Sequence, residues 1–127
     1  MIIILDQRSQ LPLWEQIVFQ IKEQMIRNIL VEGDKLPSVR ELATNLVINP
    51  NTVSRAYQEL ERAGIIETVR GKGTFVIGLK KEVVSDTTLS KYKSKFTTLL
   101  IESVMEGIEE EDIINWVKQF YSNKGVE

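Results

Sequence analysis

The 127-residue sequence contains neither cysteine nor histidine. The lack of cysteine excludes disulfides, thiol nucleophiles and zinc–thiolate sites. The lack of histidine excludes imidazole acid–base catalysis, histidine-paired nucleophiles and most transition-metal sites. Catalysis would have to depend on carboxylates, Lys, Tyr or a cofactor, and the glycines form no dinucleotide-binding loop. We therefore expect a protein that is not an enzyme and that holds neither a cofactor nor a metal.

Long apolar runs are missing as well. The longest, Ile2–Leu5, is too short to cross a bilayer and lacks the basic flank and cleavage site of a signal peptide. We therefore expect a cytoplasmic protein without a membrane partner. Apolar residues make up 43% of the chain and charged residues 27%, the balance of an ordinary folded domain. The net charge of −2 averages a slightly basic first part and an acidic remainder, so it identifies no partner.

The N-terminal segment predicts a strand followed by a helix. The β-branched run Ile2–Leu5 is typical of a short strand, which we expect to pair with or pack near a later β-ribbon. Pro12 suits the first turn of a helix that continues to about Leu30. Its apolar residues recur with the helical period and are Trp14, Ile17, Val18, Ile21, Met25 and Ile29.

Two shorter helices follow, separated by a tight turn. Ser38 is the expected N-cap of the first, with Glu41 completing a capping box. Asn49 is the expected N-cap of the second, with Pro50 at its first position and Gly64 at its end. The predicted inner faces are Val39, Leu42, Ala43 and Leu46 on the first, and Val53, Ala56, Tyr57 and Leu60 on the second. This arrangement is a helix-turn-helix.

A β-ribbon comes next. The runs Ile65–Val69 and Thr74–Ile77 flank the glycine-rich tip Arg70–Gly73. Three helices and a two-stranded ribbon predict a winged helix-turn-helix over residues 1–78, a mainly α fold with a small β-ribbon. The cations of the tip suit a minor groove or flanking phosphates, and the alternative is an ordinary solvated hairpin.

Residues 79–127 predict a linker and a two-helix tail. Gly107 separates the two helices, and the acids of Glu109–Asp112 suit the positive end of the second helix better than a metal site. Two short helices bury little by themselves, so we expect a second copy to cover their apolar stripe. The expected dimerisation residues are Phe96, Leu99, Leu100, Val104, Val117 and Phe120. An effector pocket around Trp116 and Tyr121 is the alternative, and the sequence identifies no effector.

The third helix carries the side chains that suit DNA. Its far side presents Asn51, Arg55, Gln58 and Arg62, with Thr52 and Ser54 on the flanks near its start. Arg pairs with guanine and Asn or Gln with adenine in the major groove, and a recognition helix inserts its N-terminal residues there. At the second helix, Arg40 is placed to bind a phosphate or to reach a base. Ser38 is placed to cap the helix or to contact a phosphate. The alternative for the third helix is an ordinary solvated face, and the alternative for Arg40 is a weak surface ion pair with a neighbouring acid.

The sequence resembles the GntR family of bacterial transcriptional regulators. The matching segments are Pro12–Ile17, Gly33–Ala43, Asn49–Glu61, Gly64–Glu67 and Gly71–Val76. One departure is Val47, where the family usually has glycine before the recognition helix. The resemblance implies that DNA is contacted by Ser38, Arg40, Asn49, Asn51, Thr52, Ser54, Arg55, Arg70, Lys72 and Gly73.

The chain after Gly78 is too short for the large ligand-binding or aminotransferase-like domains of the family. It resembles the YtrA subfamily, whose tail serves chiefly in dimerisation and whose members commonly repress operons encoding ABC transporters. The resemblance therefore implies a homodimeric repressor of an inverted-repeat DNA operator. The alternative, a winged helix used for protein–protein contact, fits poorly with the cationic, Asn- and Thr-containing face of the third helix.

Overall fold

The computed structural model describes residues 1–79 and 82–123, which form two compact units divided near residue 80. The elements in chain order are α1 Leu13–Ile26, β1 Lys35–Leu36, α2 Val39–Leu46, α3 Pro50–Arg62, β2 Ile66–Val69, β3 Gly73–Val76, α4 Asp86–Met105 and α5 Glu110–Ser122. The mainly α winged helix-turn-helix fold is confirmed. No helix within the described ranges has the length and apolar character needed to cross a membrane.

The first unit is organised around the inner faces of α1, α2 and α3. Val53, Ala56, Tyr57 and Leu60 are all buried, which confirms the predicted inner face of α3. They share one core cluster with Ile17 and Ile21 of α1, Leu42 and Ala43 of α2, and Ile66 and Val76 of the sheet. Burying this common core fixes the orientation of α3, and its opposite face consequently points to solvent.

The prediction of a strand at Ile2–Leu5 is wrong, although Ile3 is buried in the core. Its backbone pairs with glutamine side chains one helical turn apart on α1. Gln20 donates to the Ile4 carbonyl oxygen over 2.6 Å and accepts from the Ile4 amide over 2.8 Å. Gln16 makes the same pair of bonds with Asp6, and Gln24 donates to the Ile2 carbonyl oxygen. An amide side chain offers both a donor and an acceptor, so these glutamines make the backbone hydrogen bonds that a neighbouring strand would otherwise make.

The first helix is shorter than predicted. It ends at Ile26, because Asn28 adopts the left-handed conformation with φ +58° and reverses the chain. Asn tolerates this conformation better than most residues. Ile29, which was predicted on the inner face, is consequently outside the helix and 60% exposed, whereas Leu30, the predicted end of the helix, is buried beyond the turn.

The ribbon contains three strands rather than two. The additional strand, β1, pairs antiparallel with β3, and the strand order is β1-β3-β2. The pairing places Lys35 opposite Phe75, and Val69 opposite Gly73 in the hairpin. Lys35-Leu36 stands between turn residues and is too short to show a period of two, so the sequence pattern indicates a helix break and not a strand.

Local caps set the helix boundaries of the helix-turn-helix. The Ser38 hydroxyl accepts from the Glu41 amide at the start of α2, and the Asn49 side chain accepts from the Asn51 amide at the start of α3. Between them Val47 lies in the left-handed region, with φ +54° and ψ +51°. The chain therefore makes the turn with a β-branched residue in a conformation that favours glycine.

The second unit consists of α4 and α5. Ser85 caps α4, and the reciprocal bonds of Glu109 and Asp112 form a capping box at the start of α5. This gives part of the acidic cluster a structural role, and no metal-binding group of acids is found among the described residues. Neither helix contains a buried residue. Residues 80–81 of the predicted linker and 124–127 of the predicted tail lie outside the described residues.

Candidate nucleic-acid interface

The solvent-facing side of α3 carries the predicted base-reading side chains. Asn51, Arg55, Gln58 and Arg62 are exposed, while Thr52 and Ser54 on the flanks are half-buried. Arg62 donates to the Glu59 carboxylate over 2.6 Å, so this cation is paired within its own helix. The first turns of α3 therefore offer the amide of Asn51 and the guanidinium of Arg55 on one exposed surface.

The guanidinium of Arg55 lies over the indole ring of Trp14. The guanidinium carbon is 4.2 Å from the ring centroid, well within the distance of a cation–π contact. Trp14 stands in the first turn of α1, is half-buried and packs against the core. Sequence periodicity assigned Trp14 to the inner face of α1, and the structure adds this contact with α3.

The hairpin between β2 and β3 presents the two predicted cations. The Lys72 amide donates to the Val69 carbonyl oxygen over 2.9 Å and closes the turn. Gly71 has φ +78° and Gly73 φ +129°, conformations that side chains rarely adopt. Arg70 and Lys72 are exposed on either side of Gly71. The glycines thus bend the backbone sharply while the adjacent cations project into solvent.

A groove of about 500 Å³ runs between α3, the start of α2 and the hairpin. Of the predicted DNA-contacting residues, its lining contains Ser38, Ser54, Arg70, Lys72 and Gly73. The others, Arg40, Asn49, Asn51, Thr52 and Arg55, lie outside this lining on α2, the turn and α3. The predicted site is therefore a groove together with the neighbouring exposed face of α3.

Hydrogen bonds hold the walls of the groove together. The Thr68 hydroxyl of β2 donates to the Glu61 carboxylate of α3, and it lies 3.2 Å from the Thr74 hydroxyl of β3. The Tyr57 hydroxyl donates to the Pro37 carbonyl oxygen over 2.6 Å. Burial raises the pKa of Tyr57 well above its usual value, and the Glu41 carboxylate adds to the rise. These contacts fix the hairpin and the start of α2 relative to α3.

Lys35 is a cation of this surface that the sequence analysis did not identify. Its side chain crosses Gly73, since a Cβ added at that glycine would lie 2.7 Å from Lys35 Cε. Lys35 is exposed, and its strand pairs directly with β3. Only the β1–β3 pairing brings it to the hairpin, so no local sequence signal could have found it.

Few of the cations are neutralised within the protein. In the part of the chain that the structure describes, ion pairs join Arg27 to Glu23 and Arg62 to Glu59. The exposed cations Arg40, Arg70 and Lys72 take part in neither pair. The side-chain charges of residues 1–79 cancel, but these unpaired cations lie in or beside one groove, and such a local cluster attracts a phosphate backbone.

The family model described as bacterial regulatory proteins, gntR family, matches residues 13–76. This range extends from the start of α1 to the end of β3 and so contains the whole helix-turn-helix and its wing. The chain belongs to the GntR family. Members of this family are DNA-binding transcriptional regulators, as the sequence resemblance implied, and not enzymes.

Individual relatives of this GntR chain match it over most of its length. The HTH-type transcriptional repressor YtrA of Bacillus subtilis (strain 168) is 46% identical over 91% of this chain and 88% of its own. The crystal structure of a transcriptional antiterminator from Listeria monocytogenes EGD-e is 38% identical, with a TM-score of 0.87 over 100% of this chain and 95% of that one. The AraR DNA-binding domain in complex with operator ORX1 is 25% identical, with a TM-score of 0.51 over 57% of this chain and 90% of that one.

The tail of this GntR chain has two apolar grooves between α4 and α5, of about 330 and 540 Å³. Phe96, Leu100 and Val117 line both of them. The other expected dimerisation residues line one groove each, namely Leu99 and Phe120 in the smaller and Val104 in the larger. Leu100 is half-buried and the other five are exposed. Trp116 and Tyr121, the alternative effector residues, line the smaller groove with them.

Proposed function

We propose that this GntR-family protein is a cytoplasmic homodimeric repressor that binds an inverted-repeat DNA operator through residues 1–78. One observation carries the proposal: the exposed polar face of α3 lies beside a groove whose hairpin wall carries unpaired cations. Base edges are read by Arg, Asn and Gln, and the flanking backbone by cations, so this surface suits duplex DNA. AraR, which shares the fold, binds an operator with its DNA-binding domain.

The proposed contacts divide into two types. Asn51, Thr52 and Arg55 at the start of α3 read base edges in the major groove. Residues around them bind phosphates or the minor groove, and these are Ser38, Arg40, Asn49, Ser54, Arg70, Lys72 and Gly73. Lys35 joins this second group because its side chain crosses Gly73.

Two variants of the full chain test this division. A duplex is first selected from a random pool by its affinity for the wild-type protein. Arg55→Ala should then cost about 1–3 kcal/mol of binding free energy and relax the preference at one position of that duplex. Lys72→Ala should weaken binding to all sequences and reduce the salt dependence by about one counterion. Equal, non-selective losses in both variants would refute the base-reading role, and wild-type binding without sequence preference would refute the proposed function itself.

We assign dimerisation to the tail, residues 79–127. The support is that neither α4 nor α5 contains a buried residue, although their shared grooves are apolar. Phe96, which lines both grooves, is 49% exposed, and Val104 is 66% exposed. A second copy covering these side chains would remove apolar surface from water and stabilise the pair. A two-fold dimer would then present two recognition helices to half-sites about 34–36 Å apart.

Two substitutions on α4 test whether the residues that line the grooves form the dimer interface. Val104→Asn introduces an amide into the larger groove, whereas Ile101→Asn changes a residue of similar exposure that lines neither groove. Sedimentation velocity should show dissociation of the first variant and a dimeric second variant. The operator affinity of the first should also fall, since linked half-sites raise avidity by roughly 10²–10⁴. A dimeric Val104→Asn protein would instead favour the effector pocket around Trp116 and Tyr121.

The proposed regulatory target is an operon that encodes an ABC transporter. The support is the similarity to YtrA, a transcriptional repressor by its description, together with the subfamily resemblance. Transcripts of the genes beside the encoding gene should rise when the gene is deleted and fall again when it is restored. Unchanged transcripts of a neighbouring transporter operon would contradict this assignment.

A further inference from the structure

The contact between Trp14 and Arg55 joins α1, which packs against the core, to the proposed DNA surface. Trp14 belongs to α1, whose inner face packs in the core, and Arg55 belongs to the exposed side of α3. The guanidinium carbon stands 4.2 Å from the indole centroid, and the Arg55 side chain is in neither ion pair of the described residues. The indole ring is therefore the partner that the structure gives to this guanidinium.

A guanidinium placed over an aromatic ring can stack on it through its flat face, and this leaves the edge of the guanidinium free. The N–H groups of Arg lie in the plane of the fork and point outward, and those are the groups that pair with the O6 and N7 atoms of guanine. An unrestrained Arg side chain loses rotamer freedom when it binds, and a partner that holds it in place beforehand reduces that loss. The Trp14 ring is itself held by its packing against the core.

We infer that Trp14 is a specificity-determining residue that acts through Arg55, by holding its guanidinium in place for base recognition. The inference rests on the proposed base-reading role of Arg55. Trp14 contacts no base in this scheme and is a positioning residue. Its effect should consequently appear in discrimination between DNA sequences and not in the general affinity for DNA.

The experiment uses the full chain with the selected duplex and with a duplex changed at the position where Arg55→Ala loses discrimination. Trp14→Ala should weaken binding to the matched duplex by about two- to five-fold and leave binding to the changed duplex unaltered. Trp14→Phe keeps an aromatic face and should retain most of the discrimination. Phe19→Ala is the matched control, because it removes an exposed aromatic ring of α1 that contacts the Lys22 ammonium and not Arg55.

A double-variant cycle separates positioning from a loss of folding. In the Arg55→Ala background, Trp14→Ala should have no further effect on discrimination, because the guanidinium that the ring holds is gone. Any destabilisation of the fold by Trp14→Ala would instead persist in both backgrounds. Additive losses, or equal losses on both duplexes, would overturn the inference. Tighter binding by Trp14→Ala would also overturn it, because the stack would then hold Arg55 away from DNA. If the wild type itself fails to discriminate, the proposed function fails first.

A measurement without DNA tests the stack directly. The chain has two tryptophans, so Trp116→Phe leaves Trp14 as the only one. In that background Arg55→Ala should increase the quenching of Trp14 fluorescence by acrylamide, because the guanidinium no longer covers the ring. Unchanged quenching would show that the stack does not persist in solution and would overturn the inference.

Discussion

Replacing Val47 with glycine should stabilise the N-terminal unit. Val47 forms the C-cap of α2 at φ +54° and ψ +51°, a left-handed conformation in which Cβ approaches the following carbonyl oxygen. The side chain is 88% exposed, so almost no packing is lost when it is removed. The backbone bonds of the turn, from Val47 to Thr44 and from Ile48 to Ala43, remain available to glycine.

The expected gain follows from two opposing effects. The left-handed conformation costs an L-residue roughly 1–2 kcal/mol, and a β-branched side chain fits it poorly. Glycine avoids that cost but gives the unfolded chain more freedom, which costs about 0.4–1 kcal/mol. The net increase in the free energy of unfolding should be about 0.5–1 kcal/mol. For a domain of this size that corresponds to a rise in Tm of about 2–8 °C.

Thermal and urea denaturation followed by circular dichroism would measure the change. Val31→Gly is the matched control, because Val31 is also an exposed valine in a loop but lacks a positive φ. The control should lower Tm, whereas Val47→Gly should raise it. A loss of stability in Val47→Gly comparable to that of the control would refute the argument from backbone strain.

Three further predictions concern other contacts. Tyr57→Phe removes a hydrogen bond and should lower the free energy of unfolding by about 1 kcal/mol at pH 7. The raised pKa of Tyr57 means that the wild type loses stability as pH rises above about 10, so urea denaturation at pH 10.5 should show a smaller difference between the two proteins. Gly73→Ala must displace a lysine side chain and should weaken binding to all duplexes more than Gly71→Ala, which meets open space; equal losses in DNA titrations would contradict the close approach. Gln20→Leu removes both side-chain bonds to Ile4, and hydrogen exchange of the Ile4 amide should accelerate; an unchanged exchange rate would contradict the protection by Gln20.

The local sequence alone specifies the helix caps and the buried face of α3. The capping residues Ser38 and Asn49 and the four inner residues of α3 are visible as short-range patterns, and the structure confirms each of them. These short-range patterns predict structure well for a physical reason. A cap is satisfied within two or three residues, and a helical face repeats every 3.6 residues, so neither depends on distant parts of the chain.

The tertiary structure alone determined the contacts between residues that are remote in sequence. Ile2–Leu5 has the composition of a strand, but its backbone pairs with glutamines of α1 and joins no sheet. Lys35 becomes part of the wing only because β1 pairs with β3. The contact of Arg55 with Trp14 joins residues of two helices that only the shared core brings together. Backbone donors and cationic side chains take whichever partner the packed core places beside them, and that placement is not encoded in any local pattern.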